Sequence, residues 1–103
     1  MYTIYTKSSR VEKDLDRLLN KLNITLQKRL WQRLSKNPFP SNSNSAELGK
    51  IEKKGGYYCY EITGGDRIIF DIHEQDKLVN ILAAGNHDSE MKFLKKYGNR
   101  KRK

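Results

Sequence analysis

Residues 55–85, GGYYCYEITGGDRIIFDIHEQDKLVNILAAG, decide the fold. Apolar residues recur there at every second position, the period of a half-buried strand. Gly56–Ile62 reads as one strand, Thr63-Gly64-Gly65-Asp66 as a tight turn and Arg67–His73 as the returning strand. The paired glycines supply the positive φ that a two-residue hairpin turn demands. Glu74-Gln75-Asp76-Lys77 makes a further turn, and Leu78–Gly85 a third strand. Its nearly continuous apolar run suits a central strand covered on both faces.

Upstream of this hairpin the period changes to that of helices. Val11, Leu15, Leu18, Leu19 and Leu22 recur at helical spacing. Ser8 or Ser9 caps this helix, and Glu12 in the first turn favours the dipole. Asn23 stops it. Thr25 starts a second helix with Leu26, Leu30, Trp31 and Leu34 on one face, and Asn37-Pro38-Phe39-Pro40 ends that one. Residues 2–6 alternate as a short strand, and Ser41–Ala46 is a polar surface loop. After the last strand, Ser89–Tyr97 forms a short helix closed by Gly98.

The order β-α-α-β-β-β-α predicts an α+β domain. An N-terminal strand and a helical hairpin pack on one face of an antiparallel sheet, the other face stays free, and a short C-terminal helix follows. Residues 1–98 make the domain, and 99–103 are a basic tail.

The composition fits one thinly cored domain. Of 103 residues, 36% are hydrophobic and 32% charged, against the larger apolar and smaller charged shares of average globular chains. Lys and Arg number 21 against 12 Asp and Glu, a net charge of +9. That sign and size point to a polyanionic partner, nucleic acid before membrane. No apolar run is long enough to span a membrane, and the N-terminus has neither the basic region nor the apolar run of a signal peptide. A single Cys fits a reducing cytosol, and one Cys with two distant His gives no structural zinc set. A cytoplasmic protein without metal or small-molecule cofactor is expected.

Strand alternation sorts the candidate site residues. Ile68, Phe70 and Ile72 form the core row, so Arg67, Ile69, Asp71 and His73 point away from it. Assigning Cys59 to the core, where cysteine usually lies, sets Tyr58 and Tyr60 on the open face with Arg67. Tyrosines beside an arginine suit RNA, through stacking and phosphate pairing; they are equally ordinary sheet residues. His87, at the end of the last strand, is a candidate proton-transfer group or a solvated turn histidine. His73 reads as surface. Lys50, Lys53, Lys54 and the tail cations Arg100–Lys103 read as solvated charge that raises RNA affinity without choosing a sequence.

Taken together, this pattern resembles the RelE/ParE superfamily of toxins from toxin–antitoxin modules. The likeness is carried by Asp14-Leu15 through Leu18, Leu34 with Asn37-Pro38, Leu48-Gly49-Lys50, Tyr58–Ile62 through Asp66–Phe70, and Ile81–His87, and it covers roughly residues 2–97.

The resemblance implies a RelE-like fold and a ribosome-dependent, metal-free endoribonuclease that cuts mRNA by attack of a ribose 2′-hydroxyl on the adjacent phosphate. Arg67 matches the phosphate-binding arginine of the family. Tyr58 and Tyr60 replace the basic residues usual on the preceding strand, leaving Lys53 and Lys54 as substitutes. His87 stands where the family often has arginine. The roles implied are His87 as acid or base, Arg67 as phosphate clamp, and Tyr58 and Tyr60 as stacking or proton-relay groups. Phe93 is the expected base stacker, with Lys95 and Lys96 as further RNA contacts. A cognate antitoxin and mRNA on the ribosome are the implied partners. Two other readings stay open: a gyrase-binding toxin of the ParE branch, and a module that binds RNA or antitoxin without catalysis.

Overall fold

A computed structural model describes residues 1–40, 50–63 and 65–97. The Ser41–Ala46 loop, Leu48-Gly49, Gly64, the Gly98 stop and the basic tail lie outside the described residues.

The chain runs through β1 (Thr3–Thr6), α1 (Ser9–Leu19), α2 (Ile24–Lys36), β2 (Lys50–Lys54), β3 (Tyr57–Glu61), β4 (Asp66–His73), β5 (Leu78–Asn86) and α3 (His87–Tyr97). The α+β architecture is the expected one, with one added strand. β2, sequence KIEKK, has a single apolar residue, Ile51, and four charged ones. It was therefore not legible as a strand, yet charge of this kind is what an exposed sheet edge carries.

Both helix starts follow from their caps. The Val11 N–H donates to Ser8 Oγ at 3.3 Å, and the Leu26 N–H to Asn23 Oδ1 at 2.9 Å. Asn23 thus starts α2 rather than stopping α1. The Gln27 side chain joins the two helices by donating to the Leu19 and Leu22 carbonyls at 2.9 and 3.1 Å. Leu19 is the last residue of α1 and Leu22 lies just beyond it, at a helix end where carbonyls lack helical partners.

The five strands form one sheet in the order β1-β5-β4-β3-β2. β3 to β5 are antiparallel as predicted and the added β2 joins them antiparallel, but β1 pairs parallel with β5, so the sheet is mixed. Gly55 and Gly56, at φ 57° and 88°, join β2 to β3 in the left-handed conformation that a two-residue hairpin turn needs. The β3–β4 turn was expected to depend on such glycines. Gly64 lies outside the described residues, and Gly65 is not in the left-handed region; Thr63 Oγ1 ties the turn by accepting from the Gly65 and Asp66 N–H groups at 3.3 and 3.1 Å and donating to Asp66 Oδ2 at 2.8 Å.

Both faces of the sheet are covered, which corrects the expected free face. On one side Val11, Leu15, Leu18, Leu30 and Leu34 pack on Ile51, Tyr60, Ile68, Phe70, Val79 and Ile81. On the other, Tyr57, Cys59 and Ile69 are buried beneath Phe93 and Leu94 of α3, with Leu82 and Ala83 alongside. Cross-strand partners share a face, and the register pairs Tyr58 with Phe70, Cys59 with Ile69 and Tyr60 with Ile68. Tyr58 and Tyr60 therefore belong to the hairpin side, and Arg67, paired with Glu61, lies on the α3 side with Cys59. The burial of Cys59 was read correctly; it sits in the smaller core. Among the described residues no helix is long and apolar enough to cross a membrane.

Candidate active site at the start of the C-terminal helix

The smaller core ends in a cluster of charge. Alternation along β3 sends Tyr57, Cys59 and Glu61 toward α3, and Lys54 of β2 joins that face as the cross-strand partner of Tyr57. Arg67, at the start of β4, enters from beside Glu61. From above comes Glu90 of α3, whose side chain is 1% exposed.

Glu90 is the centre of the cluster. Its Oε1 lies 3.2 Å from Arg67 Nε, its Oε2 3.4 Å from Lys54 Nζ, and His87 Nε2 stands 4.0 Å from Oε1, one turn back on the helix. A carboxylate this deeply buried requires such partners, since desolvating it alone is prohibitive. The remaining faces of Arg67 are held as well. Its NH2 faces Glu61 Oε2 at 3.3 Å, and its NH1 donates to the Thr63 carbonyl at 2.9 Å. The guanidinium is thus fixed in orientation, and its outer edge is turned toward Glu61, which is 38% exposed.

Two further groups report on the environment. Burial, reinforced by the Glu90 charge and a hydrogen bond to it, pushes the Cys59 thiol up to about 12. It is a neutral packing group and not a nucleophile. Tyr60, on the opposite face, is also raised by burial, opposed by the nearby Arg33 and Arg29 charges.

The helix start is set by Asn86, whose Oδ1 accepts from the Ser89 N–H at 2.9 Å and from Ser89 Oγ at 3.1 Å. This cap begins α3 at His87, two residues before the predicted Ser89, and places the imidazole in the first turn with 56% of its side chain exposed. Gly85 makes room for the cap: a Cβ there would meet Ser89 Oγ at 2.6 Å.

Of the predicted residues, Arg67, His87 and Lys54 converge here. Tyr60 is 1% exposed in the hairpin core, and Tyr58 stacks on Phe70 at 5.7 Å on that same side; neither joins Arg67. Lys53 lies over the Tyr58 ring, 5.6 Å from its centroid, also on that side. Phe93 packs edge-on to Tyr57 at 5.2 Å and against Tyr97 at 4.9 Å. Lys96 covers Tyr97 at 5.4 Å, and Lys95 is exposed. Glu90 and Glu61 were missed. Glu90 had a signal: with Phe93, Leu94 and Tyr97 it completes an i, i+3, i+4, i+7 stripe, so a carboxylate occupies a core position.

No family model matches the chain, and no curated protein does. Solved structures do share its fold. A metal-bound toxin from Helicobacter pylori aligns with a TM-score of 0.64 at 22% identity, over 85% of this chain and 97% of that one. The DinJ–YafQ complex from E. coli contains a chain matching at 0.60 and 18% identity, over 85% and 96%. The archaeal RelE–RelB complex from Pyrococcus horikoshii OT3 gives 0.52 and 16%, over 82% and 93%. The likeness extends over nearly the whole of each matched chain, and the fold is RelE-like.

Proposed function

We propose that this chain, built on the fold of RelE-like toxins, is the toxin of a type II toxin–antitoxin module and cleaves mRNA as an endoribonuclease on the ribosome. One observation carries the reading: a buried glutamate, Glu90, holds Arg67 and Lys54 side by side within one helical turn of an exposed histidine, His87. Two cations beside an acid–base group suit phosphodiester transesterification, which needs proton transfer and stabilisation of charge developing on the phosphate. The DinJ–YafQ and RelE–RelB complexes support a cognate antitoxin as partner.

In the proposed reaction the ribose 2′-oxygen bonds to phosphorus and the bond from phosphorus to the 5′-oxygen breaks. The 2′-hydroxyl proton leaves to a base, and the 5′-oxygen receives one, giving a 2′,3′-cyclic phosphate and a 5′-hydroxyl. His87 is the proton-transfer group, being the most exposed side chain of the cluster and the one whose ordinary titration range lies near neutrality. Arg67 clamps the phosphate when a phosphoryl oxygen takes the place of the partly exposed Glu61 carboxylate on NH2. Glu90, buried and engaged by both cations, is a positioning residue that holds Arg67 and Lys54 together beside His87. Tyr58 and Tyr60 have no part in this scheme.

The pairing of both cations with carboxylates also favours a second reading, a module that binds RNA or antitoxin without cutting. Induction of wild type, Arg67→Ala and His87→Ala, with mapping of mRNA 5′ ends and growth, separates the two. New ends and arrest with wild type, lost in both variants, are expected. Arrest without new ends would overturn the ribonuclease reading in favour of a gyrase-type target. Neither arrest nor cleavage would favour the binding module.

A further inference from the structure

β1 covers only the first part of β5, pairing Thr3–Thr6 with Leu78–Ile81. The Lys7 N–H closes this contact on the Ile81 carbonyl at 2.8 Å. Beyond it, from Leu82 to Asn86, the outer edge of β5 is flanked by α1 and α3 instead of a strand. Two clefts of about 370 Å³ each lie there. They share Arg10, Asp14, Ala84 and Ser89 in their linings, so they adjoin end to end and are treated as one groove.

Its walls are basic. Arg10 and Arg17 lie two helical turns apart on one face of α1, and Lys21 continues their line. Lys92 and Lys96 stand one turn apart on α3, and Lys7 closes the far end. Asp14 is the one lining carboxylate, and Arg17 holds it at 3.4 Å. The floor is Ala83, Ala84 and Gly85, small enough for a polymer backbone to approach closely. At the far end Lys7 and Lys96 sit 5.5 and 5.4 Å from the centroid of the Tyr97 ring, which is 40% exposed. At the near end Gly85 is the cross-strand partner of Arg67, and Asn86 leads directly into His87.

We propose that this groove is the track for a single RNA strand on one side of the scissile phosphate, its backbone lying between the α1 and α3 cations and a base stacking near Tyr97. The proposal rests on the ribonuclease reading, which requires nucleic acid to continue past the cut. Spaced cations with an aromatic at one end match the way single strands are bound without sequence choice. An acidic peptide added as an extra strand fits the edge less well. The β4–β5 register shifts between Ile69 and Phe70 and leaves Leu82 without a β4 partner, so the edge is bulged where an added strand would begin, and bulges turn edges away from pairing.

The test is the salt dependence of binding of a short, fluorescein-labelled 2′-O-methyl oligouridine, which cannot be cleaved, to the full chain by anisotropy. Arg10→Gln, Lys92→Gln and their double variant are compared with Lys28→Gln, an exposed site on α2. The groove variants are expected to bind more weakly, with the slope of log affinity against log salt shallower by about 0.7 for each cation removed; Lys28→Gln keeps the wild-type slope. Groove variants that bind as wild type does would overturn the track, while cleavage by wild type would leave the ribonuclease reading intact. Absence of oligouridine binding, with an oligoglutamate peptide held through Arg10 and Lys92, would overturn it and assign the groove to an acidic protein. Failure of the ribonuclease reading shows separately, as wild-type induction without new mRNA ends.

Discussion

Glu90 Oε1 lies 3.2 Å from Arg67 Nε although the two residues are 23 positions apart and belong to different elements. This contact fastens the first turn of α3 to the start of β4, at the charged end of an otherwise apolar smaller core. The proposed chemistry depends on it, because it fixes the orientation of Arg67, and so does the stability of the smaller core.

Replacing Glu90 should therefore cost more than an ordinary ion-pair mutation. Glu90→Ala leaves Arg67, whose side chain is 12% exposed, with a buried charge that Glu61 only partly offsets; a loss of about 3 kcal/mol is expected. Lys54→Ala, at a side chain 39% exposed, should cost less than about 1 kcal/mol. Urea unfolding of both variants checks the ordering, and equal losses would contradict the central place of Glu90.

His87→Ala should separate chemistry from folding. The side chain is 56% exposed, so the unfolding midpoint in urea should stay at the wild-type value. The cleavage rate, read as new mRNA 5′ ends, should fall by about 10²–10⁴. A variant that cuts at the wild-type rate removes His87 from the reaction.

Tyr60→Phe should do the reverse. Its ring is 1% exposed on the far side of the sheet from Arg67, so mRNA cleavage should be unchanged while stability falls by about 1 kcal/mol for the lost hydroxyl. Lost cleavage at normal stability would return Tyr60 to the catalytic set.

Alkaline stability should carry the signature of Cys59. The folded thiol titrates at about 12 against 9.0 for a free one, so the native state keeps a proton that the unfolded chain releases. The resulting stabilisation is complete below pH 9 and is lost as pH rises from 9 toward 12, at up to about 1.4 kcal/mol per pH unit. Subtracting the pH profile of Cys59→Ala from that of wild type isolates this limb. Parallel profiles would mean that the thiol is solvated.

Gly85→Ala should disturb the entry to α3. The new Cβ would stand 2.6 Å from Ser89 Oγ and 2.8 Å from Ser89 Cβ, displacing the cap that Asn86 makes. A loss of about 1–3 kcal/mol is expected. Ser89→Gly in the same chain should recover part of it, and a double-mutant cycle with no coupling would place the strain elsewhere.

Most of the framework was legible because it rests on period. The Leu15–Leu18 and Leu30–Leu34 stripes, the Ile68–Phe70 row and the hairpins between β3 and β5 each repeat with the spacing of their element. The faces of β3 were not legible, because Tyr57, Tyr58, Cys59 and Tyr60 are all suited to burial and their alternation carries no contrast. Only the register of Cys59 against Ile69 resolves which side each takes. β2 was hidden by its charge. At the site, Arg67 and His87 were identifiable as residue types, but Glu90 reaches Arg67 through tertiary packing, and only its position on the apolar stripe of α3 hinted at burial.

The parallel pairing of β1 with β5 has a consequence for the order of assembly. Thr3 meets Leu78, so the contact closes a loop of most of the chain, among the entropically slowest kinds to form. On a chain made from its N-terminus, β1 has no strand partner until β5 has been synthesised. The helices and the β2–β3 hairpin are local and form earlier. The groove between α1 and α3 takes shape only once β5 has docked and α3 is complete. Until both are in place, a nascent copy is without the full set of cations that line the groove.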